Sequence, residues 1–451
     1  MTENKTYYIE TFGCQMNIAD SEVVASILHK EGYRPASDIS DAGLVMLNTC
    51  AVRENAEKRI WNKLEHLNGL KKKNIDMKLG ILGCMAQHIG TDFRSKNAVD
   101  FIAGPDAYRH LPEILHKISR GNGFVSDLEL SRTETYENIV PHRIDTSSVS
   151  GFVSITRGCN NFCSYCVVPY TRGRERSRNP KDIINEVINL QQSGYHEITL
   201  LGQNVNSYHW EENKKITGFP GLLALVADKI PGMRIRFTTS HPKDISDELI
   251  ETMAVRDNIC NHIHLPVQSG SNSVLKAMNR KYTREWYLNR IDKIKSLMPG
   301  CGLSTDIFSG FPGETESDHA ASLSLMEEVG FDSAFMFKYS ERPGTYAAKH
   351  FEDDVPEKIK LKRLNELIQL QQSLSLKSNK DEVGKKHDIL IEGKSKRSDK
   401  DIFGRTAHNK LVIVPDSKHK PGSFIRVIIE SYTSATLFGK ESINRKPLNH
   451  E

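Results

Sequence analysis

A chain of 451 residues is longer than one hydrophobic core usually spans, so two to four domains are expected. Hydrophobic residues at 38% and charged residues at 26% exclude a fibrous or low-complexity chain, and no apolar run approaches the roughly 18 residues of a membrane span. The net charge of +4 is concentrated at the C-terminus, where residues 380–451 carry 15 Lys/Arg against 10 Asp/Glu; a polyanionic partner fits such a tail, and so does a solvated lysine-rich surface.

The polar start Met1-Thr2-Glu3-Asn4-Lys5 lacks the apolar segment of a signal peptide, which predicts a cytoplasmic protein. In that reducing compartment, eight cysteines point to metal ligation or catalysis rather than to disulfides. Residues 7–12 read as a strand, and the helix after them repeats its apolar positions Val23, Val24, Ile27 and Leu28 at helical spacing. Between the two lies Gly13-Cys14-Gln15-Met16-Asn17. Residues 44–48 form a second apolar run, ended by Thr49-Cys50 and followed by a helical segment at 53–72. A third run at 78–82 ends in Gly83-Cys84, and 99–102 reads as a fourth strand. This alternation predicts a parallel α/β domain over 1–120, with the carboxyl ends of its strands on one edge. Cys14, Cys50 and Cys84 follow successive strands, 36 and 34 residues apart, and are expected to meet at that edge as a three-thiolate site with an open fourth position. A lone buried cysteine is more often a small core hydrophobe, but three at equivalent places favour a cluster site.

Residues 121–150 turn polar and read as a linker. The second domain, 151–379, opens on a strand that delivers Gly158-Cys159-Asn160-Asn161-Phe162-Cys163-Ser164-Tyr165-Cys166. Three thiolates can hold three corners of a cubane iron-sulfur cluster, leaving the fourth iron open to a small molecule. Structural zinc sites usually pair cysteines two residues apart and recruit a fourth ligand close by, which this loop does not. Arg172, Arg174, Arg176 and Arg178 then either grip phosphates or pair with acidic side chains of the first domain.

Further strands at 197–201, 234–239, 262–267, 303–308 and 335–339 complete six strand-helix units, an open partial (βα)6 barrel. Its strand ends present Gln203, Asn204, Ser240, Gln268, Ser269 and Asp306 to the same mouth as Cys159. Cys260 and Cys301 fit no cluster spacing and read as structural. A long helix at 356–379 leads out of the domain. Over 380–446, short β-type runs at 388–392, 411–414, 424–429 and 434–438 predict a small antiparallel barrel, with Lys394, Lys396, Arg397, Lys400 and Arg405 on an RNA-binding side.

With these motifs in this order, the chain resembles the methylthiotransferase family of radical S-adenosylmethionine (SAM) enzymes. The resemblance is carried by Gly13-Cys14-Gln15-Met16-Asn17, Asn48-Thr49-Cys50, Gly83-Cys84, the Cys159 loop and Thr305-Asp306-Ile307-Phe308-Ser309-Gly310-Phe311-Pro312-Gly313-Glu314. Tyr165-Cys166-Val167-Val168-Pro169-Tyr170-Thr171-Arg172-Gly173-Arg174-Glu175 is most similar to the branch of tRNA-2-methylthio-N6-dimethylallyladenosine synthases. Arg157 departs from the Glu that those enzymes commonly carry before the glycine of the loop.

The resemblance implies a radical SAM central domain, a TRAM-like C-terminal barrel and two 4Fe-4S clusters. The one on Cys159, Cys163 and Cys166 would split SAM into methionine and a 5′-deoxyadenosyl radical; the one on Cys14, Cys50 and Cys84 would supply sulfur, with a separate SAM giving the methyl group. The implied reaction places both at carbon 2 of N6-isopentenyladenosine in a tRNA anticodon loop, whose inert C–H bond calls for a radical. Contacts to SAM would come from Gln203, Asn204, Ser240, Gln268, Ser269 and Asp306, with Tyr165 at its adenine, and contacts to RNA from Arg172, Arg174, Lys394, Lys396, Arg397 and Arg405. A reductant protein such as a flavodoxin or ferredoxin and an iron-sulfur or sulfur carrier would serve it, with no membrane involved. The alternative is the same chemistry on threonylcarbamoyladenosine tRNA or on a ribosomal-protein aspartate; from a different class, a non-catalytic iron-sulfur RNA-binding protein.

Overall fold

The computed structural model describes residues 5–51, 54–95, 98–145, 147–396 and 398–442. Arg397, the first four residues of the polar start and residues 443–446 of the predicted barrel lie outside them.

Near-continuous apolar runs form the middle of the N-terminal sheet, where Leu44–Thr49 is buried along its whole length and Lys78–Gly83 along nearly all of it. Six parallel strands lie in the order Arg34–Pro35, Thr6–Thr11, Leu44–Thr49, Lys78–Gly83, Phe101–Ala103 and Val125–Asp127. Val24 and Leu28 of the helix Gln15–Lys30 pack on one face with Leu111 and Ile114 of Leu111–Ser119. Ile60, Leu64 and Leu67 of Glu54–Lys73 cover the other. Part of the stretch read as linker is ordered against this unit: Val125–Asp127 is its sixth strand, and Tyr136 stacks on the buried Tyr108 with ring centroids 5.6 Å apart.

The central unit holds six parallel strands in two sets of three, Ser150–Ser154, Glu197–Leu201 and Arg234–Thr238, then His262–His264, Gly302–Ser309 and Ser333–Lys338. A parallel bridge from Ile235 to Ile259 joins the two sets into one partial barrel. Val153, Ile198, Leu200, Ile235, Ile263 and Ile307 bury its outer face under helices contributing Leu222, Ile250, Ile291 and Leu325. One of these helices, Glu316–Val329, opens on a capping box in which Thr315 and Asp318 satisfy each other's backbone N–H groups. Thr315→Ala is therefore expected to cost about 1 kcal/mol, read as a lowered Tm. The N-terminal helix lies against the open side, where its Met16 and Ala19 meet Phe152 and Leu201.

The long helix Glu357–Lys380 leads to a closed barrel of Lys386–Ser395, Ser398–Thr406, Leu411–Val414, Leu437–Glu441 and Phe424–Tyr432. It differs from the predicted barrel in two ways. Ser398–Thr406 is a fifth strand, hidden in the sequence by its charged first half, and the pair Leu411–Val414 with Leu437–Glu441 is parallel. The barrel docks at the amino ends of the central strands. Arg234 donates to the carbonyls of Arg405 (2.7 Å) and Asp388 (2.6 Å), and Arg236 to those of Thr406 (2.8 Å) and Ala407 (3.2 Å). Arg236 also holds Glu197 at 2.8 Å. Among the described residues, no helix is long and apolar enough to cross a membrane.

Candidate active site

Each N-terminal cysteine stands where a strand gives way to a turn or helix. Cys14 is the N-cap of Gln15–Lys30, Cys50 follows Leu44–Thr49, and Cys84 opens Cys84–Ile89. Gly13 lets the first of these loops lie against the second: its φ is +126°, and a Cβ there would sit 2.5 Å from the Cys50 Cβ. The Cys14 Sγ lies 3.8 Å from Asn17 Oδ1, which accepts from Arg172 Nη2 at 3.0 Å, and Arg172 Nε donates to Cys84 Sγ at 3.2 Å. Three cysteines remote in sequence are thus gathered around Gly13, Asn17 and Arg172, with Cys50 and Cys84 buried and Cys14 exposed.

The second trio is held by a loop whose ends are pinned. Gly158 takes φ +76° with a Cβ position only 2.1 Å from the Arg174 carbonyl oxygen, and the Cys159 N–H donates to Gly173 O at 3.1 Å. Arg280 Nη1 donates to Cys163 Sγ at 3.3 Å. Burial pushes the Cys159 thiol up to about 11 and raises those of Cys166 and Cys84 as well, the last despite the Arg172 cation. Such thiols stay protonated until a metal displaces the proton, the usual chemistry of a thiolate ligand set. Among the described residues, no three Cys, His, Asp or Glu side chains are grouped closely enough to hold one metal ion. Cys84 packs against Val167, the neighbour of Cys166, so the two trios share a wall.

At the strand ends, Gln203 Oε1, Asn204 Oδ1, Ser240 Oγ and Gln268 Oε1 are buried with no hydrogen-bond partner among the described residues. Orphaned polar atoms of this kind suit a polar cofactor that would satisfy them. Other predicted contacts are engaged elsewhere. Ser269 Oγ lies 3.4 Å from that of Ser322 and accepts the Ser271 N–H, the Tyr165 ring packs 5.1 Å from Phe308, and Asp306 lies 3.5 Å from His264 Nε2. Two residues absent from the sequence reading join the mouth. Thr156 Oγ1 is buried and unpartnered; so is Nε2 of His241, which burial and the Arg280 and Lys243 cations keep neutral while its Nδ1 accepts the Lys243 N–H at 3.2 Å. His241 follows Ser240 directly, a positional signal that strand-end counting could have used.

Glu175 is the other unforeseen group. Burial, reinforced by the Asp244 carboxylate and opposed by the Ser207 hydroxyl and Lys243, pushes its carboxyl up to about 7. A raised folded-state value means that its stabilisation is complete below about 4.5 and is lost as pH rises through about 7. Relative to the parent chain, Glu175→Gln is thus expected to gain up to about 3 kcal/mol between about pH 5 and about pH 8, visible as a Tm difference that grows with pH. A pH-independent difference would refute it.

The structure divides the basic residues. Arg157 and Arg172 share Asp20 at 2.7 and 2.8 Å, Arg176 takes Asp106 at 2.9 Å, and Arg178 pairs with Asp182 and Glu186. Of the two options for the arginines after the loop, pairing with first-domain acids therefore accounts for Arg172 and Arg176. At 3% exposure Arg172 offers no surface to a phosphate, whereas Arg174 is exposed and stands 4.5 Å over the Phe162 ring. Lys394 and Lys396 are exposed; Arg405 pairs with Glu392 at 3.3 Å beside the seam with the central unit.

Comparison with known proteins places names on these parts. Residues 6–104 match the uncharacterized protein family UPF0004, 153–326 the radical SAM superfamily and 380–440 the TRAM domain. The chain is 56% identical over 440 residues to tRNA-2-methylthio-N(6)-dimethylallyladenosine synthases of Bacteroides fragilis and Bacteroides thetaiotaomicron, covering 97% of this chain and 96% of each relative. It is 52% identical over 441 residues to that of Porphyromonas gingivalis, covering 97% and 95%. Among solved structures, the radical SAM methyltransferase TsrM from Kitasatospora setae shares the fold with a TM-score of 0.59 at 14% identity, over 76% of this chain and 75% of that one. The cobalamin-dependent radical enzyme OxsB does so at 0.54 and 12%, over 81% and 56%. The chain belongs to the radical SAM methylthiotransferase family, in the branch of the tRNA-2-methylthio-N(6)-dimethylallyladenosine synthases.

Proposed function

We propose that this enzyme adds a methylthio group at carbon 2 of N6-dimethylallyladenosine (N6-isopentenyladenosine) in the anticodon loop of tRNA. The observation that carries this reading is the shared wall between the two cysteine trios, Cys84 against Val167, in a chain whose full-length relatives bear that substrate in their names. The same relatives disfavour threonylcarbamoyladenosine or a ribosomal-protein aspartate as the substrate.

Cys159, Cys163 and Cys166 hold one 4Fe-4S cluster in this reading, and Cys14, Cys50 and Cys84 a second. Bound there, the clusters and SAM supply the 5′-deoxyadenosyl radical, the sulfur and the methyl group. The chain itself orients and excludes water. Gln203, Asn204, Ser240, Gln268, Thr156 and His241 offer their unpartnered polar atoms to SAM. Arg280 donates to the Cys163 sulfur, and the Tyr165 ring packs on Phe308 with centroids 5.1 Å apart. Arg174, stacked on Phe162, and the exposed Lys394 and Lys396 suit an RNA backbone and its bases. We read three domains, the first running past residue 120 to include its sixth strand Val125–Asp127, followed by 151–379 and 380–446, with a cytoplasmic location and service by a flavodoxin- or ferredoxin-like reductant and a sulfur carrier.

Nucleoside analysis of tRNA from a strain lacking the gene tests the reaction. The 2-methylthio derivative is expected to vanish and its N6-dimethylallyladenosine precursor to accumulate; normal 2-methylthio levels would overturn the reading.

A further inference from the structure

We infer that Arg172 is a positioning residue common to both cysteine trios: it donates to sulfur at the N-terminal site while tying the radical-generating loop to the helix that Cys14 caps. The inference rests on the reading that each trio holds a cluster. Arg172 follows Cys166 by six residues in sequence, yet its guanidinium lies in the N-terminal unit, on Cys84 Sγ at 3.2 Å, Asn17 Oδ1 at 3.0 Å and Asp20 Oδ2 at 2.8 Å. A guanidinium keeps its charge at every accessible pH, so it presents a permanent cation and a fixed N–H fork to a thiolate. Among the described residues, Nη1 is buried and finds no partner, one donor still available beside the cysteines. Leaving such an N–H unmade is costly unless a further acceptor arrives with the loaded site.

The loop is held at both ends by one carboxylate. Asp20 Oδ1 takes Arg157, the residue before Gly158, and Asp20 Oδ2 takes Arg172. Asp20 sits on the helix Gln15–Lys30, fewer than two turns past its Cys14 cap, and is 1% exposed. The separation of the two trios is therefore fixed by a rigid helix, one carboxylate and two guanidinium groups rather than by the connecting chain.

Two readouts on the full chain test the role. Hydrogen bonds and charge near cluster sulfurs set reduction potential, so in a Cys159/Cys163/Cys166→Ala background Arg172→Met should move the potential of the remaining cluster to a more negative value. With all six cysteines present, Arg172→Met should lower methylthiolated product by about tenfold or more while SAM cleavage continues, raising the ratio of 5′-deoxyadenosine to product. Arg172→Lys, which keeps the charge without the fork, should recover part of both. An unchanged potential together with an unchanged ratio would overturn the inference; if Arg172→Met does not fold, Arg172→Lys decides on the same two readouts. A parent chain that loads a single cluster would instead fail the two-cluster reading on which this rests.

Discussion

Replacing Cys14, Cys50 and Cys84 together by alanine should reduce the reconstituted protein from two clusters to one, leave SAM cleavage in place and abolish methylthiolated product. The expectation follows from how the trios are built. The N-terminal three sit on turns of the parallel sheet, and the other three on a loop held by Gly173, Gly158 and Arg280 as well as by the two guanidinium groups on Asp20, with Cys84 Sγ as a further acceptor of Arg172. Losing the first set removes thiols and that one acceptor without touching the other pins. The converse variant, Cys159/Cys163/Cys166→Ala, should reduce SAM cleavage to background while the first site still loads iron. Iron and sulfide analysis with quantitation of 5′-deoxyadenosine separates the two, and an iron count unaffected by the first substitution would refute a cluster on Cys14, Cys50 and Cys84.

Arg236→Met is expected to produce the largest purely structural defect. Its guanidinium holds Glu197, which is 6% exposed, and donates to two carbonyls of the C-terminal barrel. Among the described residues, removing it leaves a buried carboxylate hydrogen-bonded by the Ser150 hydroxyl at 3.3 Å and facing the Arg234 cation, and breaking a buried pair typically costs about 3–5 kcal/mol. The same change loosens the barrel, whose remaining ties at this seam include Arg234. Thermal unfolding should show an earlier transition, and limited proteolysis should cut sooner near 381–385. An unaltered melting curve and cleavage pattern would show that the barrel is held chiefly elsewhere.

The elements legible in the sequence were those with strong local signals. Pro180–Gln192 carries Asn179 as a side-chain cap and Pro at its first position, and its apolar residues Ile183, Val187 and Leu190 fall on one face. Glu197–Leu201 and Leu44–Thr49 are short apolar runs bounded by turn residues. Val125–Asp127 had no such signal: three residues become a strand only because Phe101–Ala103 offers an unpaired edge. Ser398–Thr406 was hidden because its first residues are charged and its apolar half is short. That Cys14, Cys50 and Cys84 would come together was readable from position alone, since a parallel sheet brings its strand ends together. The site's neutral His241 and its raised Glu175 were not, because burial is a property of the packed chain. The arginines after Cys166 show the same limit: sequence displayed their charge, and only the fold chose Asp20 and Asp106 as their partners.

The seam between the first two units also has a polarity. The acids Asp20 and Asp106 come from the N-terminal side, and the bases Arg157, Arg172 and Arg176 from the central one. Separated, each half would carry a strip of like charge built to be dry. The halves should therefore behave as complementary fragments: poorly behaved alone, able to find each other through attraction that weakens as salt rises, and selective for partners of the matching charge pattern. Swapping one half for that of a relative with a different charge pattern would then test inheritance of the seam as a pair, since a base on one side has meaning only with its acid on the other.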